Sequence, residues 1–124
     1  MLRMLAAFAA ILIFSCPVRA ESFDLTGQWE ARVMGAPVTA EFSQDGQMFT
    51  GVMRIPEPGG KVNVYHLAGA IFDEKFVALH GSGHVFEGRA TSADAAEGVF
   101  RLAEGGSFGV RLFRKGRAPA AGEN

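Results

Sequence analysis

Residues 28–43 read QWEARVMGAPVTAEFS, and this stretch decides the fold class. Trp29, Ala31 and Val33 alternate with polar residues, and the alternation resumes at Val38 after a Gly-Ala-Pro break. A period of two places alternate side chains on opposite faces of a β-strand. Gly and Pro between two such runs are typical of a turn. The stretch therefore predicts two neighbouring strands, each with one apolar face.

The same pattern continues to residue 114. Seven turn signals separate eight predicted strands, and no helical apolar stripe interrupts them. The predicted strands are 28–34, 38–44, 47–55, 61–72, 75–80, 84–91, 96–102 and 107–114. Because short connections join neighbouring antiparallel strands, we expect the chain to run up and down.

Glycines within the predicted strands favour a closed barrel over a two-layer sandwich. They are Gly51, Gly69, Gly88, Gly98 and Gly109. An interior glycine weakens a strand unless the backbone bends or another chain segment approaches closely. Closure also removes the exposed strand edges of a small β-protein. We therefore predict an all-β fold, an eight-stranded antiparallel up-and-down meander barrel over residues 27–114.

Residues 1–20 have the features of a secretory signal peptide. Arg3 precedes an uninterrupted apolar run, Leu5–Phe14, and Val18 and Ala20 suit the positions before a cleavage site. Cleavage after Ala20 would leave residues 21–26 as a lead-in to the barrel. The sequence thus predicts a periplasmic or secreted protein.

A second processing route remains open for the same segment. Ile13–Cys16 resembles a bacterial lipobox, in which Cys16 becomes a lipidated N-terminus. This alternative predicts a barrel that is anchored to a membrane by lipid.

Removing residues 1–20 changes the composition. Without Arg3 and Arg19, ten of the 12 basic residues remain against 13 acidic ones, which gives a formal net charge of −3. No cysteine remains, so the core alone must stabilise a chain of 104 residues. The absence of a strongly basic surface argues against a nucleic-acid partner. Residues 115–124 are predicted to form a disordered basic tail.

Residues 23–29, FDLTGQW, resemble the Gly-x-Trp opening of the calycins, the superfamily of lipocalins and avidins. The resemblance extends over roughly residues 23–114 and implies that Gly27 and Trp29 begin the first barrel strand. It also implies that Trp29 packs at a closed end near an arginine of the last strand, for which Arg111 and Arg114 are the candidates. A calycin-like barrel implies a non-enzymatic protein that binds a small, largely apolar ligand. No biotin-binding residues can be matched.

Two histidines, His80 and His84, flank a Gly-Ser-Gly turn. Directly opposed strand residues have Cβ atoms about 4.5–5.5 Å apart, which is close enough to share a metal ion. If His66 reaches the same rim, a three-histidine site is conceivable. The alternative is that His80 and His84 are polar residues at an exposed hairpin tip.

Nothing else in the sequence points to catalysis or to a cofactor. No Gly-x-Ser-x-Gly motif is present, and most carboxylates fall at turns or at outward positions. Glu87 lies within a predicted strand, and an inward Glu87 would need a basic partner such as Arg54, Arg89 or Arg101. Such a pair would either bind a ligand or fill the barrel.

Two predicted strands are apolar on both faces, near Met48–Ile55 and Phe76–Leu79. Since a barrel buries only its inner face, the outward residues predict an apolar patch that contacts a second copy or a protein partner. Coverage by residues 21–26 or by the 56–60 loop is the alternative.

The space inside the barrel separates two functions. An eight-stranded barrel is just wide enough to be filled by side chains or to hold one small ligand. The chain after residue 20 has nine Phe, and five or more inward aromatic residues would leave little room. The first hypothesis is an exported barrel that binds a small apolar ligand. The second is an envelope protein-interaction or inhibitor-like barrel with a filled core.

Overall fold

The computed structural model describes residues 23–33 and 35–119. Its eight strands are β1 (Gly27–Val33), β2 (Ala36–Asp45), β3 (Met48–Pro56), β4 (Val62–Phe72), β5 (Lys75–His80), β6 (Val85–Ser92), β7 (Ala95–Arg101) and β8 (Ser107–Arg114). Each predicted strand begins and ends within two residues of these limits. The predicted signal peptide and the lipobox-like segment lie outside the described residues.

The strands form a closed antiparallel barrel in sequence order. Each strand pairs with the next, and β1 pairs with β8 through Trp29–Arg114, Glu30–Phe113 and Ala31–Leu112. The all-β up-and-down barrel is therefore confirmed, and the sandwich alternative is wrong. Over the described residues the structure contains no helix long and apolar enough to cross a membrane.

Aromatic side chains fill most of the interior. Six of them are buried: Trp29, Phe42, Phe49, Phe76, Phe86 and Phe100. Successive phenylalanines from Phe42 to Phe100 have ring centroids 5.6–6.4 Å apart, which is contact distance for aromatic pairs. Five or more inward aromatic residues were predicted to leave little room, and the barrel buries six.

Two strand glycines make room for these rings. A Cβ atom on Gly51 would lie 2.4 Å from Cδ1 of Phe42, and one on Gly69 would lie 2.0 Å from the Val77 carbonyl oxygen. Both distances are shorter than any contact a real side chain makes. These two glycines therefore lie where neighbouring atoms come too close to the backbone for any side chain, as the sequence predicted.

The lead-in closes one end of the barrel. Leu25 is fully buried, its N–H donates to Gln44 Oε1 at 2.8 Å, and its carbonyl accepts a 2.8 Å hydrogen bond from Trp29 Nε1. At the other terminus, the Lys115 N–H donates to the Gln28 carbonyl at 2.9 Å. The backbone hydrogen bonding of the barrel seam therefore continues one residue past β8, to Lys115.

Candidate functional site

At the closed end, one arginine covers the tryptophan. Arg114 Cζ lies 4.5 Å from the centre of the Trp29 ring, and Arg114 Nη1 donates to the Thr26 carbonyl at 2.8 Å. Gly27 has a φ of +129°, and a Cβ there would meet Arg114 Nη1 at 3.2 Å. Of the two candidate arginines, Arg114 is the one at Trp29. Arg111 is exposed on the outer face opposite Glu97.

Asp24 completes this end. The Thr26 N–H donates to Asp24 Oδ1 at 2.9 Å. The pKa of the Asp24 carboxyl is lowered, first by that backbone hydrogen bond, then by the Thr26 hydroxyl and by the charge of Arg114. The Asp24–Thr26 contacts fix the conformation of the lead-in, and the hydrogen bonds from Arg114 join the lead-in to β8.

The opposite end contains a cavity of about 120 Å³. Its wall is apolar apart from two residues, Tyr65 and His84. Phe86, Phe100 and Leu112 are among the side chains that surround it. Dry apolar cavities of about 150 Å³ in other proteins hold benzene, whereas drug-sized ligands need about 300 Å³ or more. The cavity therefore suits a small apolar group.

The two histidines of the β5–β6 hairpin lie together at this open end. Their rings are 5.7 Å apart and inclined by only 13°. The Ala103 N–H donates to His84 Nδ1 at 2.9 Å, and His80 Nδ1 lies 2.6 Å from Ser82 Oγ. The His80 ring also meets the Tyr65 ring edge-on at 4.9 Å.

His66 is not part of this group. Its neighbours Tyr65 and Leu67 line the cavity, so His66 points to the outer face, where it is exposed. The conditional three-histidine site therefore does not form. Among the residues that the structure describes, no three His, Cys, Asp or Glu side chains are placed to hold a metal ion.

Glu87 points outward. Its Oε2 lies 2.9 Å from Arg101 Nη1, and both side chains are about half exposed. The inward position that the sequence left open for Glu87 is wrong. Its parity follows from Phe86, which is buried on the inner face.

The outer faces of β3, β4 and β5 carry an exposed apolar patch. We define the outer apolar patch as Met48, Phe72, Val77 and Leu79, which are 61%, 60%, 43% and 56% exposed. Met48 and Val77 are register partners of Ala70 on either side. The described part of the lead-in packs at the closed end and leaves the patch exposed, and the 56–60 loop lies at the open end. Neither covers it.

Two features of the site were not predicted from the sequence. Tyr65 was not singled out as a lining residue because β4 carries apolar residues on both faces, with Val62 and Val64 outside and Leu67 inside. The contact between Ala103 and His84 joins residues 19 positions apart, and no local pattern marks it.

Fold and site together define a small up-and-down β-barrel with one closed end and an apolar cavity at the other. The chain is similar to a redesigned β-barrel (TM-score 0.60, 11% identity, 73% of this chain and 90% of that one). It is also similar to a de novo designed fluorescence-activating β-barrel (TM-score 0.53, 19% identity, 72% and 92%). At these identities the similarity shows the fold alone. No protein-family model and no curated protein matches the chain, so the calycin assignment stays a prediction.

Proposed function

We propose that the protein is an exported, non-enzymatic, calycin-like barrel that binds a small, largely apolar ligand in the cavity at its open end. The observation that carries the proposal is the apolar cavity of about 120 Å³ that remains although six aromatic side chains are buried. A well-packed core leaves few voids larger than a water molecule, so a void of this size calls for an explanation.

The cavity limits both the size of the ligand and its affinity. It accommodates a single ring or a short chain, and a longer molecule would extend past Tyr65 and His84 at the mouth. Very small ligands reach at most about 1.5 kcal/mol per non-hydrogen atom, which sets a ceiling of about 10 kcal/mol for a ring of six or seven atoms. Since most ligands fall well below this ceiling, we expect a dissociation constant of about a micromolar to a millimolar.

The test is a binding titration with toluene, followed by NMR of the methyl groups of Leu67 and Leu112. In the variant Ala40→Leu, the added carbons occupy the cavity that Ala40 lines, and we expect toluene binding to be lost. The control Thr39→Leu places the same side chain on the neighbouring outward position and keeps binding. No toluene-dependent shift in the wild-type protein contradicts the proposal.

Export is part of the proposal and is supported by the sequence of residues 1–20. We propose cleavage after Ala20, which makes Glu21 the N-terminus of the mature protein. Intact mass and N-terminal sequencing of protein from the periplasmic fraction test this directly. If the mature protein instead begins with a diacylated Cys16, it is anchored by lipid and the proposed cleavage after Ala20 is wrong. The variant Cys16→Ser would then lose the lipid.

The outer apolar patch favours a second candidate function, an envelope protein-interaction or inhibitor-like barrel. Exposed contiguous apolar surface of this kind marks interaction sites in other proteins. We propose a second copy of the chain as the occupant. Light scattering over a range of concentrations should show a dimer that Leu79→Lys disrupts and Thr39→Lys, on another outer position, does not. A monomer at every concentration contradicts self-association.

A further inference from the structure

One ring nitrogen of His84, Nδ1, accepts a hydrogen bond from the backbone. The Ala103 N–H donates to Nδ1 at 2.9 Å, so in the neutral ring Nδ1 is the acceptor and Nε2 bears the proton. The Glu104 carboxylate is 4.0 Å from Nδ1, which is too long for a hydrogen bond, and it is 70% exposed. The backbone contact, not Glu104, therefore sets the tautomer.

The second ring nitrogen of His84, Nε2, is not used by the contact with Ala103. It has no hydrogen-bond partner among the described residues. Yet every fully buried side-chain nitrogen or oxygen in that part of the chain has a partner, so Nε2 is not sealed in the core. Since the ring itself lines the cavity, a free donor stands at the mouth.

The ring is also held in place. His84 lies between His80 and Phe100, with both ring centroids 5.7 Å away, and its side chain is only 15% exposed. A donor fixed in advance loses little conformational freedom when a ligand binds. Tyr65, the other polar residue of the lining, has a hydroxyl that both donates and accepts, so it does not select for one kind of group.

We infer that the ligand is a small apolar molecule with one hydrogen-bond acceptor oxygen, such as a cyclic or short-chain ketone, whose oxygen accepts from His84 Nε2–H. This rests on the proposed function and names its ligand class. A wholly hydrocarbon ligand would cover the donor and leave it without any hydrogen-bond acceptor, which is unfavourable. A carbonyl oxygen at the mouth satisfies it, while the apolar body fills the cavity.

The test compares two molecules of nearly the same shape, cyclohexanone and methylenecyclohexane, which differ in C=O against C=CH₂. Dissociation constants are measured for the wild type, His84→Phe and His66→Phe. We expect the preference for cyclohexanone, relative to methylenecyclohexane, to fall about three- to tenfold in His84→Phe, which corresponds to one hydrogen bond. His66→Phe makes the same change on the outer face and should leave the ratio unchanged. Because each ratio is compared between proteins, the different hydration of the two probes cancels.

The outcomes separate the inference from the proposed function. If neither probe binds the wild type, the proposed function fails. If methylenecyclohexane binds and the ratio is the same in His84→Phe, the inference alone is overturned. If His84→Phe does not fold, His84→Gln is the second variant, because glutamine keeps both an N–H donor and a carbonyl acceptor. We expect His84→Gln to retain most of the preference for cyclohexanone. Loss of that preference in His84→Gln contradicts the inference.

A second measurement needs no variant. Long-range ¹H–¹⁵N spectra of the His84 ring should show an unprotonated Nδ1 and a protonated Nε2, and cyclohexanone should shift the Nε2 signal. A proton on Nδ1, or a ligand-induced shift confined to Tyr65, would overturn the assignment of the donor.

Discussion

Arg114 and Trp29 are register partners on the last and first strands, and the arginine Cζ lies 4.5 Å from the centre of the indole. The same guanidinium donates to the carbonyls of Asp24, Thr26 and Ala93. One side chain thus joins the seam of the barrel, the lead-in and the β6–β7 turn.

Arg114→Lys should destabilise the protein by about 2 kcal/mol, because a single ammonium group cannot replace a planar guanidinium that donates to three carbonyls and stacks on an indole. Urea unfolding measures the loss. The control is Arg111→Lys on the exposed outer face, which should change stability by no more than about 0.5 kcal/mol. Equal losses for the two variants would contradict the account of the closed end.

Gly69→Ala should be strongly destabilising, by about 3 kcal/mol or more, since its Cβ would lie 2.0 Å from a backbone oxygen that cannot move aside. The matched variant is Gly109→Ala, whose Cβ would meet its nearest atom, the Gly98 oxygen, only at 4.0 Å. It should be neutral or stabilising by up to about 1 kcal/mol. A tolerated Gly69→Ala would show that the backbones of β4 and β5 do not approach each other as closely as described.

Leu25→Ala should cost about 2–4 kcal/mol, because Leu25 is fully buried at the closed end and its loss leaves a void over Trp29. Leu79→Ala, which removes the same atoms from a residue 56% exposed, should have little effect on the monomer. Thermal unfolding of both variants at low concentration checks the difference. Similar melting temperatures would mean that the lead-in does not stabilise the barrel.

The lowered pKa of Asp24 gives stability a pH dependence of defined sign. A carboxyl whose pKa is lower in the folded state contributes stability above its unfolded pKa of about 3.9, and the contribution disappears as the pH falls through the folded value. Asp24→Asn should therefore be slightly less stable than wild type at pH 7 and equally stable near pH 2. The effect is small because Asp24 is exposed. A difference that persists unchanged at pH 2 would exclude the charge as its cause.

Turn residues and alternation were sufficient to predict the number, order and approximate limits of the strands. Alternation also distinguishes the two candidate arginines. Arg114 shares a strand face with buried Leu112, whereas Arg111 lies on the opposite face. It did not resolve β4, where both faces are apolar. For the same reason the outward position of His66 could not be predicted.

Other features depend on contacts between distant residues. Leu25 precedes the alternating pattern, and its burial results from its packing against Trp29 and Gln44. The cavity is what remains after the packing of residues from many strands, so no local pattern predicts its volume. Its polar donor depends on the β7–β8 loop, which brings Ala103 to His84.

The central claim is that the interior of the barrel, and not its surface, holds the ligand. The most direct test is to measure intermolecular nuclear Overhauser effects between methylenecyclohexane and the methyl groups of the protein. We expect contacts to Leu67 and Leu112, which line the cavity, and none to Leu79 on the outer face. Contacts to Leu79 without contacts to Leu67 and Leu112 would contradict the account.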